Sequence, residues 1–477
     1  MLASIVLLTL LQVASPVGEF PLRAFHGKER TLRTLRLRVP ARHEHPDGRT
    51  LEIVSWVFPA RVTSGPPIVF LMGGPGIPGS VLAPIPPYFD LFDRLSEKAD
   101  VVVLDQRGLG ESVPKVDCPP PLERVSPSLF ESKAKLLAAF AGVTRGCAEY
   151  WRKHSIEPSD FAVEQVADDV EALRVALRAP QLDLLAFSYG TRIAREVLRR
   201  HPKSVRSVVM QGVLASTIRN PAADDTTFRT VAALAREQSD AKRFDAHIEE
   251  SLRAVQQSLS RTPLELSLRS VKGEAVTVRI AREVFDAIVA TRLGDRRLPA
   301  MLTNAHRGDT TILVQWLESL YQDLEKGGAP LMRAASVCSA AESRGTARAA
   351  ERQAVRSLLG EPFDNLQQGE AYCGALGFAA RPARPVVPRA TAQVLLISGS
   401  LDDRTPPAGA EALRAEFAVS EHVIVKNGGH ELLPERRVQD LVVAFLRGQP
   451  LPTGAIELPP PDFPDVDAAK QAPRRPQ

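Results

Sequence analysis

Residues 184–191 read L-L-A-F-S-Y-G-T. An apolar run stops abruptly at Ser188, and a helix-like segment, 192–200, begins almost at once. The pattern is strand, sharp turn, helix, with a serine at the turn. At such a turn the strained backbone lifts the hydroxyl above the sheet edge, while the following N–H groups and the helix N-terminus favour negative charge. Neighbouring chains can approach only if the residues two before and two after the serine are small, and here they are Ala186 and Gly190. Glycine is usual at both places; alanine adds one methyl group, and the turn remains feasible. Taken alone the stretch is weak, because a buried strand followed by a polar turn also contains a serine by chance.

The chain on either side supplies context. Downstream, the apolar run 393–398 ends in G-S-L-D-D-R-T-P (399–406), and the run 422–425 ends in N-G-G-H-E (427–431). A carboxylate and a histidine thus follow two successive strands after the serine, in the order Ser, Asp, His. In that arrangement the histidine takes the serine proton during attack, and the carboxylate holds the imidazole tautomer and stabilises its charged form. Local spacing does not choose between Asp402 and Asp403. Upstream, the run 67–72 suits a strand buried on both faces and leads into Gly73-Gly74-Pro75-Gly76. These glycines lack the Lys-Ser/Thr ending of a P-loop and the spacing of a dinucleotide fingerprint, so bare amides beside a nucleophile, an oxyanion site, are the better reading.

Further strands are expected at 31–39 and 50–58, as an antiparallel hairpin, and at 100–104 and 205–210; a helix is expected over 161–178. Strands alternating with helices imply an α/β fold with a mostly parallel sheet and helices on both faces. Over 215–385 the pattern becomes helical (226–238, 241–259, 281–291, 310–325, with a short strand at 276–280), which reads as an inserted helical cap. The expected organisation is a signal peptide 1–18, a first core part 19–214, the cap 215–385, a second core part 386–449 and a Pro-rich disordered tail 450–477.

The 477 residues suffice for a large core with an insertion. Hydrophobic residues at 44% and charged residues at 24% are ordinary for a globular protein. A formal charge of +4, with no basic cluster interleaved with aromatics, excludes a nucleic-acid-binding reading. Residues 2–14 are almost uninterruptedly apolar, too short for a membrane span and placed like an export signal, with a membrane anchor or a misassigned start as alternatives. Cys118, Cys147, Cys338 and Cys373 form no C-x-x-C pair, which argues against metal and redox motifs. Of their three possible pairings the sequence-local one, Cys118–Cys147 with Cys338–Cys373, is preferred over the others and over free thiols. Each bridge would close a loop of roughly 30 residues and contribute on the order of 3 kcal/mol.

Four motifs in order, M-G-G-P-G (72–76), D-Q-R-G-L-G-E-S (105–112), A-F-S-Y-G-T (186–191) and G-S-L-D-D-R-T-P-P (399–407) with G-G-H (428–430), make the chain similar to the α/β-hydrolase family of proline iminopeptidases and secreted tripeptidyl aminopeptidases. The resemblance implies an α/β-hydrolase fold with Ser188 as nucleophile, Asp402 as carboxylate and His430 as general base. Asp402 aligns with the family's acid, three residues before the Thr-Pro. The N–H of Tyr189, with that of Gly74 or Gly73, would form the oxyanion hole. The family places an acid for the substrate's α-ammonium in the cap; Glu342, after Cys338, is the candidate. Met72 stands where the family has histidine. Asp105 and Arg107 read as a structural turn pair, and His201 and His306 as surface or packing residues. The function implied is an exported (periplasmic or secreted) serine hydrolase, an aminopeptidase releasing N-terminal residues or short peptides through an acyl-enzyme, with no cofactor, metal, nucleic acid or membrane partner. A carboxylesterase acting on small acyl substrates and a non-catalytic binding protein of the same fold are the alternatives.

Overall fold

The apolar runs that read as doubly buried strands form the centre of a single nine-stranded sheet in the computed structural model, which describes residues 15–471 except 47, 122–123, 240–242, 341–343, 368–369 and 379–389. The strands are β1 (Ser15–Arg23), β2 (Glu29–Pro40), β3 (Thr50–Phe58), β4 (Ile68–Leu71), β5 (Val101–Asp105), β6 (Leu182–Phe187), β7 (Val205–Gln211), β8 (Leu264–Arg269), β9 (Ala275–Ile280), β10 (Ala390–Gly399) and β11 (Phe417–Val425). The sheet order is β1-β2-β3-β5-β4-β6-β7-β10-β11. Pairing is antiparallel from β1 to β5 and parallel from β5 through β4, β6, β7 and β10 to β11. The expected hairpin is β2–β3; β1, not foreseen, extends it and includes residues 15–18, which the sequence reading assigned to a signal peptide.

Strand periodicity shows how the two faces are filled. In β4, Val69 and Leu71 join one apolar cluster, while Ile68 and Phe70 join the other. In β5 the same division sets Val102 and Leu104 against Val101 and Val103. Helices α1 (Pro86–Leu95), α2 (Lys133–Lys153), α3 (Val163–Ala176) and α4 (Tyr189–Arg200) follow in order. Val166, Val170, Ile193 and Val197 of α3 and α4 cover the first face, and Phe89 and Phe92 of α1 with Val438 and Leu441 of the helix Arg436–Leu446 cover the second. Deeply buried strands need apolar side chains on both faces, which is why these segments read as continuous apolar runs.

The cap has its own apolar core, in which Phe228, Phe285, Leu302, Trp316 and Tyr321 are buried, and the hairpin β8–β9 packs into it. It is wider than residues 215–385. Leu136 of α2 belongs to the cap's core, whereas Ala141 and Cys147 of the same helix belong to the sheet's, so a second insertion, between β5 and α3, joins the two layers. Residues 450–471 are not loose: they run as a strap from the core to the cap. Lys426 exchanges backbone hydrogen bonds with Ile456 and Leu458 at 2.9 and 3.0 Å, Phe463 is buried in the cap's core, and Gln315 donates to the carbonyl of Lys470 at 2.9 Å. The prolines up to Pro464 leave that part without helix or strand yet do not prevent docking, and a short helix, Ala468–Gln471, closes the segment. No described helix is long and apolar enough to cross a membrane.

Candidate active site

β6 ends at Phe187, and Ser188 has φ 53° and ψ −120°, a conformation disfavoured for a residue with a β-carbon. Such strain persists only where neighbours over-determine it. Here the Ser188 N–H donates to the Gln211 carbonyl at 2.9 Å, and its own carbonyl accepts from the N–H of Thr191 at 2.9 Å and its hydroxyl at 2.6 Å. The close approaches also explain the glycines. A β-carbon on Gly190 would collide with the Leu71 carbonyl, and one on Gly73 would lie 2.6 Å from the Ser188 β-carbon and 2.8 Å from the Phe187 carbonyl oxygen. Ala186, fully buried, places its methyl in the core beneath α4.

The structure brings Ser188, His430 and Asp402 together from the ends of three different strands. His430 Nε2 lies 2.9 Å from Ser188 Oγ, and His430 Nδ1 lies 3.0 Å from both carboxylate oxygens of Asp402. Asp402 is 1% exposed. Its Oδ1 accepts from the N–H groups of Arg404 and Thr405 at 2.9 and 2.8 Å, and its Oδ2 from the Thr405 hydroxyl at 2.6 Å. Burial pushes its acidity the wrong way for a carboxylate, yet the imidazole and the Thr405 bonds outweigh it and hold the group below the usual range. Asp403 differs: burial pushes its carboxyl up, and the group points at the cap, where a β-carbon on Gly294 would lie 2.7 Å from Oδ1. The turn after β10 therefore separates two residues that spacing alone left equivalent.

Around Ser188, Gly73 is the nearest residue of the glycine loop: a β-carbon there would also lie 3.1 Å from the Tyr189 nitrogen. Gly74 (φ +112°) turns the chain toward Gly76 and Ile77. Gln106 donates to the Met72 carbonyl at 2.8 Å and holds the start of this loop, while the Met72 side chain packs in the core. The loop is covered by the helix Leu331–Ser339, which lies within the inserted stretch but packs Leu331, Met332 and Ala335 into the sheet's first apolar cluster. Tyr189 donates its hydroxyl to the Ser336 carbonyl at 3.0 Å, and a β-carbon on Gly76 would lie 3.0 Å from that of Arg333. Cys338 of this helix is bonded to Cys373, and Cys118 to Cys147 in α2, so both expected pairs form. Glu342 lies outside the described residues.

Sequence reading missed Gln211. Fully buried at the end of β7, it donates through Nε2 to the His430 carbonyl at 2.8 Å and accepts at Oε1 from the Leu432 N–H at 3.4 Å. Its main-chain carbonyl also holds Ser188, so one residue ties the serine turn to the histidine loop. A buried amide at a strand end was the only signal available. Tyr88 pins the next residue, donating to Glu431 at 2.7 Å. Asp105 and Arg107 are structural but do not pair with each other. Asp105 accepts from the Ser80 N–H and hydroxyl at 2.9 and 2.8 Å, whereas Arg107 is fully buried and grips Asp169 with two nitrogens at 2.7 and 2.5 Å. His201 meets Asp168 at 2.7 Å and His306 lies 3.7 Å from Asp245.

The sequence pattern of the family described as alpha/beta hydrolase fold matches residues 66–436. The chain is similar to YuaR of Escherichia coli (strain K12), 32% identical over 161 residues that make up 33% of this chain and 30% of YuaR. It is also similar to the serine protease Hip1 of Mycobacterium tuberculosis (strain ATCC 25618 / H37Rv), 28% identical over 187 residues, 38% of this chain and 35% of Hip1. The matched region thus spans about a third of the length of these curated relatives. Among solved structures, an esterase from Thermogutta terrifontis aligns with 87% of this chain and 98% of its own at 15% identity and a TM-score of 0.37. With the match spanning both core parts and the cap between them, the chain belongs to the alpha/beta hydrolase fold family.

Proposed function

We propose that the chain is an exported serine hydrolase that releases N-terminal residues or short peptides from small peptide substrates through an acyl-enzyme. The observation that carries this reading is the unbroken hydrogen-bond path from Ser188 Oγ through His430 to Asp402, at 2.9 and 3.0 Å, on a strained strand-to-helix turn. In the proposed reaction His430 Nε2 takes the Ser188 proton as Oγ bonds to the substrate's carbonyl carbon. The oxygen's developing charge is met by the N–H groups of Tyr189 and of Gly73 or Gly74. The C–N bond then breaks as His430 returns the proton to the leaving amine, and water, activated by the same histidine, releases the acyl group. Asp402, kept ionised by its bonds, fixes the tautomer and balances the transient imidazolium.

Three observations support the finer parts. The motif resemblance and the protease named among the relatives favour peptides as substrates. The helix Leu331–Ser339 lies over the glycine loop, which fits a site for short substrates. Two disulfides among four cysteines favour an oxidising compartment, and hence export. The test compares a peptide amide with a free N-terminus, its N-acetylated twin and p-nitrophenyl acetate, with Ser188→Ala as control. Cleavage of the free peptide and loss of about a million-fold in kcat in Ser188→Ala are expected. Ester cleavage alone would shift the assignment to a carboxylesterase, and silence on all three would overturn the hydrolase reading.

A further inference from the structure

The segment leaving β7 for the cap passes under the loop that carries Asp402, and Arg219 lies at the crossing. Its side chain is 9% exposed. One terminal nitrogen, Nη2, donates to Asp224 Oδ1 at 2.7 Å, to the Asp403 main-chain carbonyl at 2.9 Å and to that of Ala290 at 3.0 Å. The other, Nη1, reaches Asp364 Oδ2 at 3.1 Å. The main chain of Arg219 is held as well: Asn365 accepts from its N–H at 2.7 Å and donates to its carbonyl at 2.9 Å. Three separate cap segments therefore converge through one guanidinium on the peptide group next to Asp402.

Two details set this apart from an ordinary buried ion pair. Arginine–carboxylate pairs are frequently two-pronged. Instead Asp224 Oδ2 and Arg219 Nε are buried without a hydrogen-bond partner among the described residues, so the ion-pair geometry gives way to contact with the Asp403 carbonyl. The Asp403 carboxyl also lies close against the cap, where a β-carbon on Gly294 would come within 2.7 Å of Oδ1. Asp402 depends on this loop's shape, because two of its three supporting bonds come from the main chain of Arg404 and Thr405.

We propose that Arg219 is a positioning residue that locks the Asp402 loop to the cap, so that Asp402 meets His430 only while the cap is seated. This rests on the reading of Ser188, His430 and Asp402 as nucleophile, base and acid. Removing the guanidinium frees the Asp403 carbonyl, the loop relaxes, and the carboxylate drifts from His430 Nδ1 without disturbing the serine turn or the substrate pocket. The effect falls on kcat and spares KM.

The test uses the full chain with two variants, Arg219→Lys and the charge-balanced pair Arg219→Met with Asp224→Asn, which leaves no lone buried carboxylate at position 224. Active sites are counted by fluorophosphonate labelling, turnover is measured on the peptide amide with a free N-terminus, and the His430 Nδ1 proton is followed by NMR in the resting protein. The paired variant is expected to fold, to lose about tenfold or more in kcat per labelled site with KM unchanged within about twofold, and to lose or shift the downfield proton; Arg219→Lys recovers part of the rate. Unchanged kcat and an unmoved resonance in the folded paired variant would overturn the proposal, as would failure of both variants to fold, which would make Arg219 a folding requirement. If Ser188→Ala is inactive while the Arg219 variants are normal, only this role is lost; if Ser188→Ala still turns over, the underlying hydrolase reading goes with it.

Discussion

At the scale of single residues, the site depends on positions whose backbone is held as firmly as their side chains are aimed. Ser188 stays in its strained conformation because Gln211 and Thr191 bond both sides of its peptide unit, and Gln211 reaches across to His430 with its amide. Gln211→Met keeps the volume but leaves the His430 carbonyl without its donor. We expect a loss of about 1–3 kcal/mol in stability, read by urea denaturation, and a fall of about tenfold in kcat with KM little changed. A variant that loses stability yet keeps full kcat would show that the histidine loop holds its place unaided. Asp402 and Asp403 make the same point about direction: adjacent in sequence, they face His430 and the cap respectively.

At the scale of elements, α4, which begins at the serine turn, is tied to α3 at its far end. Asp168 on α3 accepts from Arg200 at 2.7 and 2.5 Å and meets His201 at 2.7 Å, at the end of α4. Burial alone would raise its pKa, but the bonds from His201 and Arg200 and the arginine's charge outweigh it and hold the group at about 2, against 3.8 for a free aspartate. Because the folded value lies below the unfolded one, this stabilisation is present above about pH 4 and is lost as the pH falls toward 2. Asp168→Asn is expected to cost on the order of 2 kcal/mol at pH 7, with the gap from the parent closing as the pH drops through that window. Denaturant titrations at pH 7, 4 and 3 check it, and a pH-independent gap would assign the cost to packing.

At the scale of the whole molecule, two insertions and a C-terminal strap make the cap a continuation of the core. The strap passes beside Lys426, four residues before His430, and runs on to the cap, where Phe463 and Ala469 are buried. Phe463→Ala is expected to cost about 3–5 kcal/mol and to make the cap, ahead of the sheet, the first region cut by protease. Equal loss of protection in sheet and cap would mean that the two unfold as one unit. Through the strap, Arg219 and the helix Leu331–Ser339, the cap touches the segments that carry all three site residues.

Much of this was legible in the chain itself. Fully buried parallel strands must be apolar on both faces, so β4, β5, β6, β7 and β10 appear as continuous runs; the serine and the acid follow such runs, and the histidine follows the short apolar end of the half-exposed edge strand β11. Glycines at 73 and 190 announce close backbone approach because no other residue fits. Contacts between distant segments were not legible, because they depend on which surfaces meet after folding. Sequence spacing assigns no facing to Asp403, gives Gln211 no partner and makes the proline-rich segment after Pro450 look unstructured, since it has no periodicity of its own. Only the packed structure sets Arg219 under the acid loop and lays the strap across the cap, because burial and hydrogen-bond satisfaction are settled between elements that the sequence places far apart.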